Sequence, residues 1–186
     1  MIPPDAKLVF KGILFDVYQW EQEQFDGTKK TFEKLKRNDG VNIIPVLDDG
    51  RILLIEESQP GRGTYLTTPG GQVNPGETAE EGGRREFLEE TGYTASEMTK
   101  WLTVMPYGNK IDWTIDTYIA RGCVDTGTSH PDSGEKISLK PVTLDEFFDI
   151  AMDDRKFRNV EITLEFLRAL RVPDGLAKLK KLFLHT

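Results

Sequence analysis

Glu86, Glu89 and Glu90 stand at positions i, i+3 and i+4 of the chain. On a helix that spacing turns all three side chains to one face. Like charges so close cost a few tenths of a kcal/mol per pair, and a cation between them removes that cost. Carboxylate oxygens together with water suit the hard divalent ions, Mg²⁺ first and Mn²⁺ second. Such an ion also binds phosphate oxygens, draws charge from them and acidifies a bound water. The plain alternative is a solvated acidic helix face, and three glutamates alone favour that alternative.

Composition narrows the chemistry further. The chain has 186 residues, enough for one domain or one domain with a small added layer. Hydrophobic residues make up 38% and charged residues 30%, with a formal net charge of −7. That balance argues against nucleic acid as a partner. It allows a small anionic ligand if cations intervene. The single cysteine, Cys123, excludes a disulfide framework and a Cys-rich zinc site. His130 and His185 are the two histidines, and His185, at the penultimate position, is expected to fray. Histidine chemistry would therefore rest on His130. Met1-Ile2-Pro3-Pro4-Asp5 lacks the basic start and apolar run of a signal peptide, and no apolar run approaches the roughly 20 residues of a membrane span. The expectation is a soluble cytoplasmic protein with no membrane partner.

The elements that must position the glutamates follow from local signals. Residues 8–20 and 31–35 read as strands around an Asp26-Gly27 hairpin turn. Val41 to Leu47 and Arg51 to Ile55 read as a strand pair about the turn Asp48-Asp49-Gly50. Gln59 to Gly63 and Thr68 to Gly76 read as loops. Thr78 and Glu81 have capping-box spacing and Gly92 is a natural C-cap, so a helix is predicted from Thr78 to Glu90. Gly82 and Gly83 inside it each cost about 1 kcal/mol against Ala, which implies close packing on a sheet. Trp101 to Met105, Trp113 to Ala120 and Ile137 to Val142 read as strands, with Tyr107 to Lys110 a loop. A second capping box, Thr143 and Glu146, opens a helix to Met152. Val160 to Leu170 is a helix, and Gly175 to Phe183 a last short one. This order predicts one α/β domain, a mixed sheet with helices on its faces.

The stretch Gly71 to Tyr93 resembles the Nudix box, Gly-x5-Glu-x7-Arg-Glu-U-x-Glu-Glu-x-Gly-U, where U is aliphatic. Gly71, Glu77, Arg85, Glu86, Glu89, Glu90 and Gly92 fall on its fixed positions, while Phe87 and Tyr93 occupy the U positions. The resemblance implies a Nudix α/β/α sandwich with an N-terminal antiparallel β-region. It places the N-terminal region at 1–38, dimer-forming, and the hydrolase domain at 39–186. It implies Glu86 and Glu90 as metal ligands, with Glu89 a ligand or a base acting through water. Gly70, just before the box, would offer its carbonyl to the metal. Arg85 and Glu77 would form a structural pair.

Outside the box the chain is most similar to the ADP-ribose and nucleotide-sugar pyrophosphatase branch. That likeness implies a further glutamate in the loop before the last strand, for which Glu135 is the first candidate and Asp132 the second. The branch commonly has Ser-Pro-Gly beyond the box, where this chain has Met105-Pro106-Tyr107-Gly108. It commonly has Glu-Leu-Pro-Ala-Gly at the start of the box, where this chain has Thr67-Thr68-Pro69-Gly70-Gly71. Arg62, Pro106, Tyr107 and Lys110 are candidate substrate contacts. Trp20, Phe25, Phe32 and Trp113 join Tyr107 as aromatics able to stack on a base. The implied reaction is hydrolysis of the pyrophosphate of ADP-ribose or an NDP-sugar to a nucleoside monophosphate and a sugar phosphate. Nucleoside triphosphates, dinucleoside polyphosphates, and a non-catalytic nucleotide-binding regulator are the rival readings. A homodimer is expected.

Overall fold

The computed structural model describes residues 1–131, 133–153, 155 and 157–184. Asp132 and His185 lie outside them. In chain order the strands are β1 (Lys7–Lys11), β2 (Asp16–Glu23), β3 (Lys29–Lys36), β4 (Gly40–Pro45), β5 (Ile52–Ser58), β6 (Tyr65–Thr67), β7 (Gly70–Gln72), β8 (Tyr93–Val104), β9 (Ile111–Asp112), β10 (Ile115–Asp125) and β11 (Lys136–Val142). Helix α1 (Ala79–Thr91) lies between β7 and β8, and α2 (Leu144–Ala151), α3 (Val160–Leu170) and α4 (Gly175–Leu184) follow β11.

A mixed sheet runs β7-β4-β10-β8, with β4 and β10 parallel and the other pairs antiparallel. A second, antiparallel sheet runs β11-β5-β6. Strand alternation sorts the core between two faces. Ile43 and Leu53 pack with Phe87 of α1 in one cluster. Their neighbours Ile44 and Leu54 pack with Phe147, Ile162, Phe166 and Phe183 of α2, α3 and α4 in the other. The result is the expected layering, with α1 on one face and the remaining described helices on the other.

The local signals act as the sequence implied. Thr78 accepts from the Glu81 amide while Glu81 accepts from the Thr78 amide, and Gly92 closes α1 in the left-handed region with φ 74°. The same box at Thr143 and Glu146 opens α2. Gly83 sits where a Cβ would come within 3.0 Å of Val41 Cγ2 and 3.4 Å of Met98 Cε, which accounts for a glycine in mid-helix. Three features differ from the sequence reading. Residues 12–15 interrupt the first strand, because Gly12 turns back so that its amide donates to Phe15 O at 3.1 Å. The short strand β6 lies between the two stretches read as loops, and β7 lies inside the second of them. Strand β8 begins directly after Gly92, far ahead of Trp101, and a register shift opposite Thr117/Tyr118 breaks its alternation.

Residues 1–36 form a separate sheet, β1-β2-β3, joined at its edge by β9. Its apolar side chains Phe10, Ile13, Leu14 and Phe25 are exposed. No helix among the described residues is long and apolar enough to cross a membrane.

Candidate active site

Helix α1 crosses the β7 edge so closely that a Cβ on Gly71 would lie 2.5 Å from the Glu86 carboxyl carbon. Gly70, at φ 150°, has no room for one either, since it would stand 2.1 Å from Val41 O. These two glycines let the helix carboxylates meet the strand. The contact is made by the Gly70 amide, which donates to Glu90 Oε2 at 2.7 Å.

Glu90 is only 7% exposed. Burial pushes its carboxyl pKa up to about 9; the Gly70 N–H works against that, and the nearby carboxylates Glu86, Glu135 and Glu57 add to it. Alone, such an acid keeps its proton; its ionised form calls for a cation, because an unpaired buried charge is costly. No lysine or arginine among the described residues pairs with Glu90.

Arg85 does pair with its neighbours. It grips Glu77 with Nε and Nη2 at 2.9 and 3.1 Å, and Nη2 also reaches Gln72 O at 2.9 Å. Its Nη1 donates to Glu86 at 2.9 Å and Glu89 at 3.0 Å. The paired guanidinium holds Glu77 down to about pKa 2 with help from the Asn74 amide, and Arg85 itself is pushed up, Glu77 being the main cause. Arg85 thus ties the loop before α1 to the helix and draws Glu86 and Glu89 toward itself. Accordingly, among the described residues no three acidic, His or Cys side chains gather closely enough to cage an ion. The donor set nevertheless fits a hard divalent cation: Glu86, Glu90 and Glu135 carboxylates around one cavity, with the Gly70 carbonyl available on the adjoining strand.

That cavity, about 790 Å³, brings together Gly70, Gly71, Arg85, Glu86, Glu89, Glu90, Glu135 and Arg62 of the sequence candidates. Glu77 and Gly92 serve α1 from outside it. Pro106 and Tyr107 line a different cavity of about 520 Å³ beside α3, together with Trp113. Lys110 lines neither. His130 meets α1 through its backbone, its amide donating to Glu89 O at 2.8 Å. Of the other aromatics, Trp20 and Phe32 pair with each other on the N-terminal sheet, with centroids 6.2 Å apart, and Phe25 is exposed.

Several lining residues escaped the sequence reading. Glu57, 7% exposed, lies next to the end of the buried strand β5, and Gln59 Nε2 bridges it to Glu135 at 2.5 and 3.3 Å. Leu53, Ile55 and Glu57 share one strand face, so period two from a buried leucine would have flagged this glutamate. Tyr65 has its pKa raised to about 12 by burial and by Glu57. Arg37 lies 4.4 Å over the Trp113 ring and 5.7 Å from that of Phe15, with Nε buried and unbonded. Burial pushes its pKa down. A cation held on an indole face with open donors is suited to an anionic or planar ligand. Its partners are remote in sequence, and no local signal marks it.

The NUDIX domain pattern matches residues 36–162. The chain belongs to the Nudix family. The chain is 33% identical over 93 residues to an ADP-ribose pyrophosphatase of Bacillus subtilis, covering 50% of this chain and 50% of that protein. It is 31% identical over 107 residues to the ADP compounds hydrolase NudE of Escherichia coli, covering 55% and 57%. The matches thus span about half the length of these relatives. A crystal structure of an ADP compounds hydrolase superposes with a TM-score of 0.70 at 23% identity, covering 89% of this chain and 90% of that one, which shows a shared Nudix fold.

Proposed function

We propose that this Nudix protein hydrolyses the pyrophosphate of a nucleoside-diphosphate compound, ADP-ribose or an NDP-sugar, with divalent cations. One observation carries the reading: Glu90, buried and held by the Gly70 amide, faces Glu86, Glu135 and Glu57 in one cavity, with no cationic side chain paired to it among the described residues. The relatives named for ADP-ribose and ADP compounds narrow the substrate class.

A divalent cation held by Glu86, Glu90 and the Gly70 carbonyl would lower phosphate charge and acidify water. Glu135 or Glu89 takes the proton of the attacking water. The water oxygen bonds to one phosphorus, the bridging P–O bond breaks, and the products are a nucleoside monophosphate and a sugar phosphate. Arg37 and Arg62 hold the anionic substrate at the cavity wall. The 1–38 region pairs with a second copy through its exposed apolar side chains.

The test is turnover of ADP-ribose against UDP-, GDP- and ADP-sugars, ATP and dinucleoside polyphosphates, with Mg²⁺ and with Mn²⁺. ADP-ribose or an NDP-sugar should lead by at least about tenfold in kcat/KM, or about 1.4 kcal/mol. Preference for triphosphates would overturn the substrate reading, and turnover undiminished in EDTA would overturn the metal reading.

A further inference from the structure

Gly70 is the hinge of the site, since its amide fixes Glu90 and its backbone is wedged against Val41. Three lines of contact from the start of α3 converge on the residues that flank it, 66–68 ahead of it and Asn42 across from it. Asn159, buried at the N-cap of α3, makes no cap bond to its own helix. Its Oδ1 instead accepts from Thr67 Oγ1 at 2.8 Å, from the Thr68 amide at 2.9 Å and from Thr68 Oγ1 at 3.2 Å. An amide oxygen has two lone pairs, so these donors saturate it. Next, Arg158 N–H donates to Leu66 O at 3.1 Å, and Phe157 bridges Leu66 in parallel. Finally, Glu161 accepts from Asn42 Nδ2 at 2.6 Å and more weakly from Asn159 Nδ2 at 3.4 Å. Asn42 is the residue directly opposite Gly70 in the β4–β7 ladder.

Residues 66–68 and 42 therefore flank Gly70 from both sides, and both are held by 158–161. Asn159 could have made an ordinary helix cap, and it is used to hold the strand instead. The network also accounts for Thr67. Thr67 gives the oxygen of Asn159 a donor, and the carboxylate that the branch commonly has two positions ahead of Pro69 would bring an acceptor against an acceptor.

We propose that Asn159 and Glu161 are positioning residues for the metal site, setting through Thr67, Thr68 and Asn42 where Gly70 presents its amide to Glu90 and its carbonyl to the cation. They touch neither substrate nor cation. The inference rests on the proposed metal-dependent reading, and its readout is kept separate from turnover. Outer partners of metal ligands typically govern affinity by about 10–100-fold.

The experiment is calorimetric titration of Mn²⁺ into the full chain, without nucleotide, alongside the thermal midpoint. Asn159→Ala should weaken Mn²⁺ binding about tenfold or more. Asn159→Asp keeps the acceptor for all three donors but sets a carboxylate against Glu161, and should recover part of the loss. Thr67→Val removes the hydroxyl that donates to Asn159, and Glu161→Gln makes the acceptor for Asn42 and Asn159 neutral; each should weaken binding several-fold and keep the test alive if Asn159→Ala does not fold. Ile162→Val, in the core of the same helix, is the control for general loosening. It should lower the midpoint without moving Mn²⁺ affinity.

Unchanged Mn²⁺ affinity in folded Asn159→Ala, or in Thr67→Val and Glu161→Gln together, would overturn the proposal. So would an equal loss in Ile162→Val, or a wild-type protein that binds no Mn²⁺. A wild type that binds Mn²⁺ yet hydrolyses none of the nucleotides leaves the positioning roles standing and removes only the proposed substrate class.

Discussion

Two regions of this molecule break the usual sorting of side chains, and they break it in opposite senses. The cavity beside α1 buries charge: Glu57 and Glu90 are each 7% exposed among other carboxylates. The N-terminal region exposes apolar surface: Phe10, Ile13 and Phe25 face solvent. Buried charge is stable only when paired, and exposed apolar patches mark surfaces that bind something. On the proposed function each region is incomplete, one awaiting a cation and the other a second copy. The difference lies in how tightly each is specified. The cavity is fixed by glycines, caps and the Arg85 network, whereas the sheet is held to the rest of the fold through the β3–β9 edge and few other pairs.

The largest break is Glu90→Gln. If the buried acid exists to hold a cation, the amide keeps the shape and loses the charge. We expect about a thousandfold loss of kcat, an unchanged or higher thermal midpoint in EDTA, and no stabilisation by added Mg²⁺. Wild-type turnover by the folded variant would reduce the cavity to an ordinary acidic surface.

The pH dependence of stability sharpens the same side. Glu90 has a folded pKa of about 9, above the ordinary value of 4.5. The unfolded chain releases this proton first as pH rises, so the folded state loses relative stability between about pH 4.5 and 9 and is least penalised below that window. The loss should amount to a few kcal/mol in metal-free protein. Chemical denaturation in EDTA should show the decline, Mg²⁺ should offset it, and Glu90→Gln should flatten it. Stability that rises through that window in EDTA, equally in wild type and variant, would contradict the assignment.

On the other side, Ile13→Asp with Phe25→Asp tests whether the exposed sheet meets a second copy. Sedimentation should give a wild-type dimer and a variant whose dissociation constant is raised about tenfold or more, a change of at least 1.4 kcal/mol. A wild type that is monomeric at micromolar concentration would remove the dimer and leave the patch for another partner.

What the sequence makes legible follows the range of the forces involved. Helix α1, its capping box and Gly92 are local devices, and residues within four positions of one another reveal them. The box spacing then supplies Glu86, Glu89 and Glu90 together. The short strands β6 and β7 carry no period of their own, because three residues cannot show one. β6 is a strand through its ladder with β5 and β7 through its ladder with β4, so each depends on a partner outside its own three residues, and Asn159 and Arg158 brace β6 and Thr68 from far off in the chain. Asn42 and Glu161 are 119 positions apart, and Arg37 meets Trp113 only after β3 and β10 are in place. Pro106 and Tyr107 show the reverse case, a local likeness whose residues fold onto a second cavity beside α3.

The smallest effect concerns the helix that joins the well-specified cavity to the core. Gly83→Ala should gain about 1 kcal/mol of helix propensity. Against that, its new Cβ would stand 3.0 Å from Val41 Cγ2, and Val41 is 1% exposed on a strand that cannot retreat without moving Gly70's neighbour Asn42. Overpacking of this kind costs about 1–3 kcal/mol, so the net should be a loss near 1 kcal/mol, or a midpoint lower by about 2–4 °C. The informative part is its companion, Gly82→Ala, whose Cβ would stand 3.2 Å from Glu77 Oε2, a side chain outside the core that can give by a few tenths of an ångström within its Arg85 pair, and 3.4 Å from Val73 Cα, an ordinary contact. It should be neutral or stabilising. If both substitutions prove equally harmful, α1 tolerates no side chain on that face at all, and the contrast between a rigid cavity and a loosely held sheet would extend along the whole helix.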